Sequence, residues 1–422
     1  MSVQIASKGS EPAEVTKLTV NSNQGGKAVD LRGGFVQLTY TESIMSDTIT
    51  ANYTFIDSGA SIDGKSVRDG LPLVGEERVE LAFEDNSENK LEVTLYVNKV
   101  TPLDNRTQKS MLNISLVSKE FIMNEKTRVK RRFDGKLSDH ISSVVSEELE
   151  SDKDVQIEPT INNLNTIGNS TKPFYFINNL CKKAVSSESQ TLGSTAGYFF
   201  YETSEGFFFK SIDGLLDQEP KAKTIYNETP DTAGGNMPEG KDFKVLKYDK
   251  KDNVNVQEKM KMGALTTRQV IFDPFTCYYE VINPRTDDTE GSLKTAGRDG
   301  LPLSKDLRNP EFDKTGKNED YTRTTYRLLD KGTLPTGDSK QQIDKSEEEN
   351  FKGSDIENQA VMRYNQFFSS QADIVIPGNF ALHAGDMIHL DVPGLSDNRT
   401  ENPDDQDGGL YIITDICHTI TA

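Results

Sequence analysis

A mainly β chain carrying an α+β insertion is the architecture this sequence implies, and three features lead there. Apolar and polar residues alternate over five short stretches between Phe35 and Leu116, the pattern of strands with one buried face. Between residues 126 and 220 the apolar spacing changes to three or four, and seven of the twelve residues from Tyr198 to Phe209 are Phe or Tyr in a chain that is 8% aromatic and lacks Trp. From residue 361 to the end, alternation returns.

At 422 residues the chain exceeds one core, and a prior of roughly 150 residues per domain suggests about three. A hydrophobic fraction of 34% and a mean hydropathy of −0.60 imply long polar segments or extensive surface offered to partners. The net charge is −19, from 67 acidic and 48 basic residues. That balance argues against wrapping tightly on nucleic acid, which needs clustered cations, and is compatible with repelling DNA. One basic run, "KTRVKRR" from Lys126 to Arg132, reads as a solvated linker or a salt-bridging strand, with an anionic partner surface as the alternative. Three cysteines, Cys181, Cys277 and Cys417, provide neither a disulfide framework nor a CxxC site and predict reduced thiols in a chain made in the cytoplasm. The N-terminal stretch lacks a charged head followed by an apolar core, and no apolar run reaches the roughly 18 residues of a membrane span. The expectation is a protein neither secreted by the ordinary route nor inserted in a membrane.

Taken in order, residues 1–30 are polar and rich in Gly, Ser and Asn, and read as an N-terminal arm. Val36/Leu38/Tyr40, Ile49/Ala51/Tyr53/Phe55, Val79/Leu81/Phe83, Val93/Leu95/Val97 and Leu112/Ile114/Leu116 each mark one face of a strand. Five such strands joined by turn-rich segments predict a small antiparallel barrel or sandwich over 31–125. Leu137, Ile141, Val144 or Val145, and Leu149 then follow a helical period, as do Ile177, Leu180, Cys181, Ala184 and Val185 after Pro173, a residue suited to a first turn. "YFFY" and "FFF" flank "ETSEG", a hairpin signal. Residues 126–240 therefore form the α+β insertion. Strand patterns resume near Phe243 and include "RQVIFD" and "CYYEVI", but from Pro284 to Ala360 only fifteen of 77 residues are apolar. So polar a segment offers little burial against its ordering entropy and reads as an extended arm or insertion. "ADIVIP", "DMIHLDV" and "GLYIITDICHTI" return to strands, so that 241–283 and 361–422 make a second β domain similar in size to the first.

Candidate chemistry is sparse. "FIDSGAS", residues 55–61, offers Asp57 as an aspartic-protease carboxylate, a chemistry that requires a second copy from another lobe or subunit. Thr54 and Phe55 fit poorly ahead of such a motif, and a strand end followed by an Asp/Ser/Gly turn is the plainer reading. The four histidines, His140, His383, His389 and His418, form no HExxH pair. "NPDDQDGG" resembles part of a calcium loop, yet aligning Gly408 puts Pro403 at the first ligand position and Thr414 where a bidentate Glu belongs, so it reads as a solvated acidic turn. No GxGxxG or GxSxG occurs. The aromatics from Tyr198 to Phe209 could stack on bases or sugars if exposed, but neighbouring side chains on a strand point to opposite faces. A hairpin apolar on both sides must be covered twice, so a core hairpin is expected, with an intersubunit contact as the functional alternative.

Three stretches in order, "FDGKLSDHISSVVSEEL", "NSTKPFYFINNLCKKA" and "AGYFFYETSEGFFFKSIDGLL", resemble the middle domain of central baseplate hub proteins from contractile-tailed phages of the T-even-like type. "LPLVGEERVELAF" is similar to that family's first barrel, and "IVIPGNFALHAGDMIHLDVPGL" with "GGLYIITDICHTI" to its final one. The likeness covers most of 30–285 and 361–422. It implies two tube-like antiparallel β-barrel domains with the α+β domain inserted, assembled as a homotrimer. Such a ring adapts a threefold spike to a sixfold tail tube and lets DNA pass through its lumen without specific binding. The implied partners are the spike, the tail tube or tube-initiator protein, baseplate wedge proteins and the tape measure protein, in a virion assembled in the host cytoplasm. No catalytic, cofactor-binding or metal residue is carried over, because the family's wall-degrading activity resides in the spike protein. The alternatives are an enzyme, either a protease at Asp57 or a cell-wall hydrolase, and a carbohydrate-binding tail module using Tyr198 to Phe209.

Overall fold

The computed structural model describes residues 13–25, 28–59, 62–85, 87–105, 109–187, 195–226, 240–252, 257, 261, 267–274, 276–282, 323–329, 332, 338–340, 353–368, 370–392 and 408–422. Its largest sheet has eight strands, ordered 28–30, 14–21, 78–84, 90–105, 110–117, 50–57, 35–43 and 415–421, with every pair antiparallel. The five strands expected from alternation are all present. Their predicted inward residues, among them Leu38, Tyr53, Phe55, Leu81, Phe83, Leu95 and Ile114, meet in one buried cluster. Each such large side chain contributes roughly 1.5–3 kcal/mol by leaving water.

Three strands of this sheet, 14–21, 28–30 and 415–421, were not expected there. Residues 14–21 belong to the supposed N-terminal arm, yet Leu18 and Val20 are buried opposite Leu81 and Val79. A register shift between Val15 and Lys17 interrupts their alternation, as a bulge does, which hides the strand from a period-two reading. Residues 1–12 lie outside the described residues. The last strand, 415–421, was assigned with the second β domain, but it pairs with 35–43 through His418 opposite Tyr40 and Ile420 opposite Leu38. Pairing across so much sequence has no local signature.

In the middle of the chain, helix 137–143 runs into a π-helical turn at 144–148, and helix 173–181 begins at Pro173. The aromatic hairpin pairs 198–203 with 206–211, and 155–157 adds in parallel. Every residue of 198–203 is buried. Tyr198, Phe200, Phe207 and Phe209 face the two helices, whereas Phe199, Tyr201 and Phe208 face Ile44, Leu215 and Ala384. The rings stack across the hairpin, with centroids 4.4 Å apart for Tyr198 and Phe209 and 5.3 Å for Phe200 and Phe207. Gly206, at φ +133°, lets the turn press against Asp154, whose carbonyl oxygen would lie 2.3 Å from a Cβ there.

The remaining strands make a four-stranded sheet ordered 243–245, 222–226, 387–391 and 409–412, the pair 247–252 with 370–375, and a three-stranded sheet ordered 278–282, 267–273 and 323–328. The four-stranded sheet is mixed, since 222–226 pairs in parallel with both 243–245 and 387–391. Parallel neighbours need long connections, and 222–226, expected inside the α+β insertion, reaches this sheet by such a route. Strand 323–328 and the first half of helix 353–367 both fall in the segment expected to be a polar arm. Its average composition conceals a local alternation in "RTTYRL" and the buried Ile356 and Ala360 of the helix; most of the rest lies outside the described residues. Among the described residues, no helix is long and apolar enough to cross a membrane.

If the doubly covered hairpin is the central core, Phe209→Ala should lower unfolding free energy by about 3–5 kcal/mol. Tyr175→Ala, at a side chain 61% exposed, should stay within about 0.5 kcal/mol of the parent. Denaturant titration of both variants measures the difference.

Candidate functional site

Buried charge concentrates where the hairpin meets the eight-stranded sheet and the C-terminal segment. Glu202 stands at the end of an otherwise aromatic strand and is 1% exposed. Its carboxylate accepts hydrogen bonds from the Ile49 amide at 3.1 Å, the Ser118 hydroxyl at 2.6 Å and Lys153 Nζ at 2.5 Å. Lys153 also reaches Glu120 at 2.7 Å, and Glu120 accepts from the Ser151 hydroxyl at 2.6 Å. Burial pushes the Glu202 carboxyl up, with Lys153 opposing it. Burial likewise works against the Lys153 charge, but Glu202 and Glu120 outweigh it and hold the ammonium above its ordinary range. One cation thus ties the hairpin to residues 118–120 at the exit of the first sheet.

A second joint lies beside the hairpin turn. Glu42 accepts from the Tyr40 hydroxyl at 2.8 Å and from the backbone amides of Ser204 at 2.9 Å and Ala384 at 3.1 Å, with His383 Nδ1 at 3.2 Å. Burial raises the Glu42 carboxyl, yet His383 and the donated hydrogen bonds prevail and leave it below its ordinary range. Burial opposes the charge on His383, while the Glu42 carboxylate overcomes it and raises the imidazole. For His418, packed on Tyr40 and Phe380, burial outweighs the opposing pull of Glu42 and lowers it to about 4. A third joint is the ion pair of Arg363 with Asp213 at 2.6 Å, both buried, in which Arg363 also donates to the Ala196 carbonyl at 2.7 Å and Asp213 accepts from Thr195. Together the joints connect segments 150 and 341 residues apart in sequence.

The residues singled out by sequence fare unevenly. Both oxygens of Asp57 accept backbone hydrogen bonds, from Gly59 at 2.9 Å and Val67 at 2.6 Å, so the carboxylate closes the loop after its strand. His140 contacts the Leu164 carbonyl at 2.7 Å, and His389 lies 3.3 Å from Asp391. His383 and His418, distant in the sequence, come together beside Glu42. Among the described residues, no three His, Cys, Asp or Glu side chains are grouped to hold a metal ion. The acidic turn compared with a calcium loop lies outside the described residues up to Asp407. In the basic run, Lys126 pairs with Glu76, Arg131 with Glu147 and Glu148, and Arg132 with Asp134, in keeping with a salt-bridging segment. The aromatics from Tyr198 to Phe209 are buried and present no stacking platform.

Sequence reasoning missed Glu42, Lys153, Glu202 and Arg363. The one legible signal was a carboxylate directly after four aromatic residues of a strand, as at Glu202, where a buried charge is retained only with a partner. What this arrangement does chemically is orient and hold.

No protein-family model and no curated protein matches the sequence. Among solved structures, the chain is similar to a prophage MuSo2 43 kDa tail protein from Shewanella oneidensis, at 10% identity and a TM-score of 0.51, covering 96% of this chain and 94% of that one. It also matches a tail protein from Neisseria meningitidis MC58 (7% identity, TM-score 0.49, 96% and 92% covered) and prophage tail protein gp18 from Listeria monocytogenes EGD-e (8%, 0.46, 96% and 94%). The first likeness establishes a shared fold along nearly the whole chain.

The Glu42–His383 joint has a pH signature. A raised imidazole adds stability that is fully present below its unfolded value of 6.5 and disappears as pH rises through the folded value. Replacing His383 with Gln should therefore cost more at about pH 6 than at about pH 9. Denaturant midpoints of both proteins at the two pH values test this; an equal gap would show that the pair is not charged in the folded state.

Proposed function

We propose that this chain is the structural central hub of a phage contractile-tail baseplate. In this reading three copies form a ring that adapts a threefold spike to a sixfold tail tube. The observation that carries the reading is the fold shared with the Shewanella oneidensis prophage tail protein over 94% of that chain. The order of the hub-like sequence stretches from Phe133 to the end agrees with it.

The proposed division places one tube-like β domain at 31–125, joined by the final strand 415–421, and the α+β insertion at 126–240. The second β domain takes 241–283 and the rest of 361–422, with 284–360 as an insertion of its own. Two β domains per chain would offer six similar faces in a trimer, the number a sixfold tube requires. A net charge of −19 per chain favours a conduit that repels phosphate, so DNA would slide through without specific contacts. Spike, tube or tube-initiator, wedge and tape measure proteins are the partners of such a ring, and its place is the baseplate of a virion assembled in the host cytoplasm. The role needs neither catalysis nor a cofactor; the backbone bonds of Asp57 and the burial of the aromatic cluster support it over the protease and carbohydrate-binding readings.

Gold-labelled antibody against the chain, applied to virions of the phage that encodes it, should mark the distal end of the tail, and particles lacking the chain should lack the spike. Label on the head or along the tail shaft, or spike-bearing tails without the chain, would overturn the hub assignment.

A further inference from the structure

The three-stranded sheet of 278–282, 267–273 and 323–328 has one face with no solvent-compatible pattern. Its register sets Val281, Val270 and Tyr326 in one row and Tyr279, Phe272 and Leu328 in the next, a two-by-three grid free of charge. Tyr326 is 80% exposed, Leu328 69% and Tyr279 63%. The opposite face is covered along its middle: Ile271 and Gln269 are buried, and Arg327 pairs with Glu357 of helix 353–367, while Tyr278 and Glu280 at its edge are exposed. A sheet with one wet face normally carries polar residues there, whereas here Gln269, Thr325, Arg327 and Glu280 lie on the other face and the open one is apolar. Large exposed aromatic side chains offer about 150–250 Å² each, so the grid presents on the order of 500–600 Å².

We infer that this face is a subunit interface and that its occupant is a second copy of this chain. Two arguments select that occupant. A stable interface takes roughly 800 Å² from each partner, and the grid supplies most of it as a contiguous apolar core, with half-buried Arg268 and exposed Thr324 starting the rim on one side. Copies carrying −19 each repel one another over most of their surface, and an uncharged grid of this size is where they can approach without burying like charges. The inference rests on the homo-oligomeric part of the hub reading and names the surface that builds it.

The test is light scattering on the full chain and on three forms of it. The wild type should have the mass of two or more chains. A Tyr326→Glu/Leu328→Glu double variant should run as a single chain with unchanged circular dichroism. Val74→Glu, at a residue 74% exposed and outside this sheet, should assemble like the wild type. Covalent footprinting of the wild type needs no variant and should find Tyr326 protected relative to Tyr175, which is 61% exposed. Assembly by the double variant would place the interface elsewhere and overturn the inference while leaving the hub reading intact. Loss of assembly in Val74→Glu as well would overturn the assignment to this face. A wild type that stays a single chain would overturn it too, and a protected Tyr326 in such a chain would mean that the face is covered from within; gold labelling of the tail would still decide the hub reading independently.

Discussion

The hairpin of 198–203 and 206–211 has no solvent face, and the placement of most other elements answers to that constraint. Two adjacent strands carrying Phe and Tyr at successive positions expose aromatic surface in both directions, and leaving either side in water would forfeit several large burials at once. One side is closed by helices 137–143 and 173–181 together with 155–157. The other needs residues from far away in sequence: Ile44 from the first sheet, Leu215, Ala384, and Tyr364, Phe367 and Phe368 from the end of helix 353–367. The hairpin is thus the layer on which the first and last thirds of the chain converge.

Apolar burial alone is non-directional and would let these segments slide on one another. The buried charges remove that freedom. Glu202 with Lys153, Glu42 with His383, and Asp213 with Arg363 each require a particular partner at a particular position. Such pairs add little net stability because desolvation offsets their attraction, but losing one partner strands a charge and is strongly destabilising. We read them as registry devices. Their backbone partners support this: Ile49, Ser204 and Ala384 donate main-chain amides and Ala196 accepts through its carbonyl, which ties the orientation of whole segments to the ion pairs.

A rigid joint of this kind suits the proposed hub, which would have to hold two β domains at a fixed spacing while the tail contracts around it. Charge is distributed accordingly. Acidic residues inside the joint are paired or hydrogen-bonded, the basic run from Lys126 to Arg132 is largely matched by neighbouring carboxylates, and the excess of negative charge is left to the surface. The apolar grid around Tyr326 stands out against that polar exterior as a cluster of exposed apolar side chains.

Local pattern by itself determined the five strands between residues 35 and 117, the helices beginning at Leu137 and Pro173, and the double burial of the aromatic hairpin, because each depends on a periodicity of two or of 3.6 residues that neighbouring letters display. It also determined that Asp57 would sit in a turn. Only the tertiary structure decided that Asp415–Thr421 closes the first sheet, that Ala222–Tyr226 leaves the insertion for a mixed sheet, that Glu14–Asn21 is a strand despite its bulge, and that Glu42 meets His383. Those outcomes depend on pairings between distant segments and on burial of polar groups whose partners lie elsewhere in the chain, and neither leaves a periodic trace in the sequence around it.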